Sequence, residues 1–317
     1  MSTKRYTSPL ALERAITERA KVQAASEAEA RHLDGRGARD YVSRRVNQLR
    51  RDVAFHAILA RLAQRSAQGH WVVKGGVALQ LRLDPSRPSR DIDVTWVGPH
   101  LDHAVALVEL RAALAHARDD FFSFELDPHG AEPDETGALV QPVSALLGAR
   151  RFERFTIDIA PPRDGVRSEQ ISEVPPPLGI EQLGRTSVQV LAVEVQVADK
   201  VCAIHEVRGT SPSSRWRDLA DIAMLAEQID GIDAGRLAEA IASEVLRRPG
   251  TLPEGLPREM RISDEQLAAW TTGWGSGGRI VPISLDDAHE IGRCFLDPVL
   301  SGQVTSGMWS AATRSWS

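Results

Sequence analysis

The 317-residue chain carries 42% hydrophobic and 26% charged residues and a formal net charge of −5, the mixture of a globular protein with a substantial core. That excludes a disordered or collagen-like chain, and about 150 residues per domain predicts two domains. No stretch reaches the ~18 uncharged apolar residues of a membrane span, and the apolar run Val190–Ala198 is broken by Glu194.

The amino end has no apolar signal-peptide centre, so an intracellular, cytoplasmic protein is expected. Residues 9–31 and 40–67 read as two helices, the second with Val42, Val46, Leu49, Val53, Ile58, Leu59 and Leu62 at helical spacing. Residues 1–68 hold fourteen Lys/Arg against seven Asp/Glu, or +7, leaving −12 for the remainder. The excess includes Arg36, Arg39, Arg44, Arg45, Arg50, Arg51, Arg61 and Arg65. Such a stretch suits phosphate binding, and a solvated Arg-rich helix accounts for it equally well. Only Lys4, Lys21, Lys74 and Lys200 are lysines, so a lysine can mark a site that wants a point charge.

Trp71–Val73 reads as a short strand and Val77–Leu83 as a helix opened by Gly75-Gly76. A loop with Pro85 and Pro88 precedes a strand at Asp91–Val97. A helix follows at 101–117, then strands at Phe121–Leu126 and Phe152–Ile159 around an acidic loop, 127–138. Pro175–Pro177 marks the expected boundary: an N-terminal helical segment (1–68), a mixed α/β core (69–177) and a C-terminal helical domain (178–317). Helices are expected at 192–208, 215–229, 233–247, 264–272 and 285–300. Gly209–Ser214 separates the first pair and GWGSGG (Gly273–Gly278) the last, with a loosely ordered tail after 301. Trp270 and Trp274 are expected in the core. Cys202 and Cys294 stand in no metal-ligand spacing, which excludes a zinc finger and a disulfide framework.

Two pieces carry chemistry. Gly75-Gly76 comes off a strand and opens a helix, so backbone amides can approach a polyphosphate, although the same pair also serves as a plain turn. Asp91 and Asp93, two apart on a strand, project from one face while Ile92 and Val94 fill the other. Two such carboxylates repel unless a cation lies between them or water screens them. Asp158 sits on a later strand; paired beside the first, it would make a three-acid metal site.

Lys74-Gly-Gly-Val-Ala-Leu79 followed by Ser89-Arg-Asp-Ile-Asp93 resembles the polymerase-beta-like nucleotidyltransferases. It is most similar to the AbiEii/AbiGii-type toxins of type IV toxin–antitoxin systems, which include the MenT-like tRNA-modifying toxins. The helix segment Ala192–Lys200, with its lysine, and the helix opening Arg215-Trp-Arg-Asp-Leu-Ala-Asp-Ile222 fit the same branch. The resemblance covers residues 70–230 or so, and nothing familiar appears in 1–68 or beyond about 235. It implies an α/β (α+β) fold with a small mixed sheet, and transfer of NMP from an NTP to an RNA acceptor, the tRNA 3′ end. It also implies a cognate antitoxin and no membrane.

The resemblance assigns Asp91, Asp93 and Asp158 to Mg²⁺ (or Mn²⁺), with Lys74, Gly75, Gly76 and Ser89 around the nucleotide. Lys200 becomes a point charge on the triphosphate, and Asp218 either orients it or accepts the attacking hydroxyl's proton. Arg217 contacts phosphate or a neighbour. Ser89, two residues before Asp91, is a candidate for inhibitory phosphorylation. A small-molecule nucleotidyltransferase and a catalytically silent RNA- or protein-binding module are the competing readings.

Overall fold

The computed structural model describes residues 5–65, 70–84, 87–98, 100, 102–128, 130, 132–133, 137–161, 165–207, 213–248, 250–252, 255–277 and 283–317. Pro85, Gly278, residues 209–212 and parts of the 127–138 loop lie outside them. The chain divides into two compact units: 1–81 with 88–190, and 82–87 with 191–317.

The first unit opens with helices α1 (Pro9–Ala30) and α2 (Gly35–Arg65). Ser8 caps α1 by accepting from the Ala11 amide, with Pro9 in the first turn. Then come β1 (Trp71–Lys74), α3 (Gly75–Arg82), β2 (Ile92–Trp96), α4 (His103–Leu114), β3 (Phe122–Leu126) and β4 (Glu132–Pro133). The sheet is completed by β5 (Leu139–Leu147), β6 (Arg150–Ala160), β7 (Ser168–Val174) and β8 (Thr186–Leu191). Its order is β3-β5-β6-β2-β1-β8-β7, with β4 beside β5. The β2–β6 and β1–β8 pairs are parallel, whereas β1–β2, β5–β6 and β3–β5 are antiparallel.

The core of this unit is apolar residues of α1, α2 and α4 packed on the sheet, including Ile16, Ile58, Leu110, Ile92, Val94 and Ile157. Arg61 of α2 lies inside it, fully buried. All five of its N–H groups are used: Nε donates to the His116 carbonyl, while Nη1 and Nη2 reach the Ala57 and Phe122 carbonyls and both oxygens of Asp120. Arg61 is therefore an interior clamp rather than part of a phosphate-binding surface.

The sequence expectation missed β5, β7 and β8. Pro142 obscured β5, because proline is ordinarily kept to sheet edges. Here β3 pairs with Leu147 back to Val143 and β4 with Val140 and Leu139, so Pro142 falls in the gap between them. Its carbonyl accepts from the Asp127 amide at 3.1 Å on that same side, where a missing N–H breaks no ladder bond. The expected boundary at 177 also moves. β8 pairs with β1 at Val73–Val190, so the chain returns to the sheet before the helical unit begins, and α1–α2 belong to the sheet unit rather than to a segment of their own.

The second unit contains α5 (Val193–His205), α6 (Trp216–Gln228), α7 (Ala234–Leu246), α8 (Asp264–Gly277), α9 (Leu285–Leu300), β9 (Trp309–Ser310) and β10 (Ser315–Trp316). Gly273, expected to break a helix, lies within α8: a Cβ there would fall 2.6 Å from Trp216 Nε1, so its absence admits the indole. Nor is the tail loose. The Trp309 and Trp316 rings pack on Phe295, and their indole N–H groups donate to the Ala226 and Phe295 carbonyls. Trp270 and Trp274 are buried, as expected.

Arg61→Ala takes the two-pronged partner from buried Asp120, leaving it Arg118 at 3.6 Å and the Phe122 amide, and is expected to cost the sheet unit about 3–5 kcal/mol, measurable by urea unfolding. A second consequence concerns Asp52 of α2, which accepts from Gln80 Nε2 of α3 at 3.3 Å. Burial pushes its carboxyl up to about 6, against an ordinary 3.8. A carboxyl raised in the folded state penalises folding once ionised, so stability should fall as pH rises from about 4 to 6. Asp52→Asn should remove that fall and raise stability at pH 8 by about 1–3 kcal/mol, read from paired melts at pH 4 and 8.

Candidate functional site

In the sheet unit the chemistry-bearing residues gather where β1, β2 and β6 run side by side. Lys74 is the register partner of Asp93, and Asp93 that of Asp158. Register partners share a face, so one ammonium and two carboxylates form a row across three strands. The conditional expectation that Asp158's strand pairs beside the Asp91–Asp93 strand is met. Ile92 and Val94, fully buried, occupy the opposite face.

Gly75 follows Lys74 with φ +60, in the left-handed region. A Cβ there would lie 1.9 Å from Asp93 Oδ2, so the glycine lets the backbone rest directly against that carboxylate. Gly76, buried, continues into α3. Asp91 precedes β2 and accepts from Ser89 Oγ at 3.1 Å. Ser89 is 2% exposed, so modification of its hydroxyl requires this segment to open. Among the described residues no three His, Cys, Asp or Glu side chains come together as a metal-holding group. Asp91, Asp93 and Asp158 therefore close no cation cage by themselves.

In the helical unit Lys200 is 5% exposed, not a surface lysine. Its Nζ donates to Asp218 Oδ1 at 2.9 Å and to Asp221 Oδ2 at 2.6 Å. Both acids lie on α6, three residues apart, so one helix face presents them together. Each also holds an arginine: Arg215 Nε reaches Asp218 at 2.6 Å, and Arg87 grips both oxygens of Asp221 at 2.6 and 2.7 Å. Burial pushes the Lys200 ammonium down, but Asp218 and Asp221 outweigh it and hold it above its ordinary value. Burial likewise pushes Asp221 up, and Lys200 with Arg87 reverses this, keeping it ionised.

Asp221 is thus as much a partner of Lys200 as Asp218, which the sequence singled out. Arg87 and Arg215 were missed as well. Arg215 stands at the start of the expected helix 215–229, three residues before Asp218, and the Arg-x-Ser spacing before Asp91 is the local signal for Arg87. Arg217 lies over the Trp216 ring, 4.8 Å from its centroid.

Part of the amino-terminal basic excess is turned inward. Arg45 pairs with Glu27, Arg50 with Thr17 and Glu13, Arg51 with Glu153, and Arg61 with Asp120. Arg36, Arg39 and Arg44 are exposed, Arg36 in a loose 3.8 Å pair with Asp40, and the Arg65 side chain lies outside the described residues. The exposed stretch at the start of α2, together with exposed Arg14 and Arg31 on and after α1, remains for an anionic partner.

The family profile described as nucleotidyl transferase AbiEii toxin, type IV TA system, matches residues 57–277, well over half the chain. The chain belongs to the AbiEii nucleotidyltransferase toxin family. Membership makes it a nucleotidyltransferase toxin and implies a nucleotide substrate and an antitoxin partner. The MenT4 nucleotidyltransferase toxin from Mycobacterium tuberculosis is similar in fold, with TM-score 0.50 and 16% identity over 94% of this chain and 99% of that one. Two Helicobacter pylori structures, JHP933 and a putative nucleotidyltransferase, match at TM-score 0.45. They are 16% and 17% identical, over 81% and 80% of this chain and 92% and 93% of theirs. None of the curated proteins compared matches the sequence. Among the described residues no helix of this AbiEii-family chain is long and apolar enough to cross a membrane.

Lys200→Met removes the shared cation from two buried carboxylates and should destabilise the helical unit by about 3–5 kcal/mol at neutral pH. Lys200's share is present below its ordinary 10.5 and is lost as pH rises through its higher folded value. Asp221's is present above 3.8 and is lost as pH falls through its lower folded value. The stability gap between wild type and variant should therefore narrow above pH 10.5, checked by unfolding at pH 7 and 11.

Proposed function

We propose that the protein transfers a nucleoside monophosphate from an NTP to the 3′ end of a tRNA, so that the blocked end cannot be aminoacylated and translation stops. The observation that carries the reading is the row Lys74–Asp93–Asp158 with the Gly75 backbone set against Asp93. Carboxylates on one face beside a glycine turn suit a triphosphate accompanied by a divalent cation. Asp93 and Asp158, joined by Asp91, would hold Mg²⁺ or Mn²⁺ together with phosphate oxygens and water, since these acids alone close no cage. Bound there, the cation supplies neutralisation of the charge on the phosphates.

The protein's own groups do the rest. The Gly75 and Gly76 amides cradle the phosphates, with Lys74 bordering them and Ser89 holding Asp91 in place. The acceptor hydroxyl attacks the α-phosphorus in line, forming the new P–O bond as the α–β bridge breaks and pyrophosphate leaves. The hydroxyl's proton passes to a carboxylate on the same strand face. Lys200 stabilises the charge on the departing pyrophosphate. Asp218, which already accepts from Lys200 and Arg215, orients that lysine rather than serving as the base. The exposed Arg36, Arg39 and Arg44 are the RNA-facing cations, too few for the whole of α2 to track a phosphate backbone.

The test uses purified protein, total tRNA, Mg²⁺ and each α-labelled NTP in turn, with Asp93→Ala as control. Label entering tRNA from one NTP and lost by at least a hundredfold in the variant is the expected result. Label found only on a small hydroxylated acceptor would replace the tRNA reading with a small-molecule transferase. Absence of nucleotide binding would leave a silent binding module.

A further inference from the structure

Segment 82–87 belongs to the helical unit, although the sheet unit precedes and follows it in the chain. Three sets of contacts hold it there. Arg82 donates to the Leu191 carbonyl at 2.6 Å and to Gln196 Oε1 at 3.0 Å. The Asp84 amide donates to Gln228 Oε1 at 3.1 Å. Arg87 completes the set, its Nε and Nη2 forked onto the two oxygens of Asp221.

That fork has an electrostatic consequence. Lys200 faces two carboxylates, so the three groups alone carry one net negative charge, which would repel a phosphate. Arg87 and Arg215, each bonded to one of the acids, turn the cluster net positive. The fork also fixes Asp221 in plane, as a planar guanidinium does and an ammonium does not. An ammonium has three N–H donors, and among the described residues Asp218 and Asp221 take two of Lys200's.

We infer that Arg87 is a positioning residue for Lys200: its grip on Asp221 holds the ammonium in one orientation and keeps the cluster attractive to phosphate, leaving the third N–H for a phosphate oxygen. The inference rests on the nucleotidyl-transfer reading above.

The experiment compares wild type with Arg87→Gln, Arg87→Lys and Lys200→Gln. It measures NTP titrations of transfer, calorimetric binding of inorganic tripolyphosphate, and melting temperature. Arg87→Gln is expected to lower kcat/KM about 10- to 100-fold, the worth of one charge-assisted pair, and to weaken tripolyphosphate binding towards the Lys200→Gln level. Arg87→Lys, which restores charge without the fork and keeps the measurement possible if the glutamine variant folds poorly, should recover part of both. Wild-type transfer and binding by a folded Arg87→Gln protein would overturn the inference and leave the transferase reading intact. So would a lowered melting temperature with undiminished tripolyphosphate affinity, since Arg87 would then be structural only. A wild type that transfers to no acceptor removes the transferase reading, and tripolyphosphate then decides alone. Weaker binding by Arg87→Gln upholds the role of Arg87, whereas equal binding, or none by the wild type, ends it.

Discussion

An ammonium taken out of water loses several kcal/mol of hydration unless opposite charges and hydrogen bonds replace it. Lys200 is in that position, and the helical unit is arranged around the replacement. Asp218 and Asp221 meet it from one face of α6, and each carboxylate, itself buried, needs a further donor. Arg215 supplies one from the start of that helix, and Arg87 supplies the other from the short segment that leaves the sheet unit's α3. Satisfying one buried charge thus commits residues from three places in the chain. A network so fully paired is an expensive way to hold a helix pair together, because apolar packing would do it at less cost. What the network does that apolar packing cannot is hold an ammonium in one place.

The sheet unit solves a different problem, that of bringing carboxylates together on one face. Parallel pairing of β2 with β6 puts Asp93 beside Asp158, and antiparallel pairing of β1 puts Lys74 on the other side of Asp93. The hydrophobic alternation of β2, with Ile92 and Val94 inward, fixes which face the acids occupy, since a one-residue slip would send them into the core. Gly75 then brings backbone against the carboxylate, where even alanine would collide. The arginines of α2 divide: Arg45, Arg50 and Arg51 are tied to acids of α1 and the sheet and Arg61 sits in the core itself, whereas Arg36, Arg39 and Arg44 stay exposed.

Much of this was legible before folding was considered. The Gly-Gly turn after a strand, the alternating acids of Asp91-Ile-Asp93 and the helical spacing from 192 onward are local patterns, and local patterns carry the periodicities of strand and helix. These determined the class of fold and the family, and they singled out Asp93, Asp158 and Lys200 as candidates. What the sequence left open depended on partners distant in the chain. Pro142 looks like a strand breaker until its missing N–H is seen to face the gap between β3 and β4. Gly273 looks like a helix breaker until Trp216 takes up the space it leaves. The tail after 301 has little periodicity, and the rings of Phe295, Trp309 and Trp316, the β9–β10 pair and backbone bonds to Gly231 and Ile232 give it order. Whether an arginine meets solvent or a carboxylate, as at Arg45, Arg61 and Arg87, is likewise settled by the element packed against it. Residue types and spacing therefore determined the chemistry this chain carries. Tertiary structure decided which charges are paired and buried, because pairing joins residues that no local pattern connects.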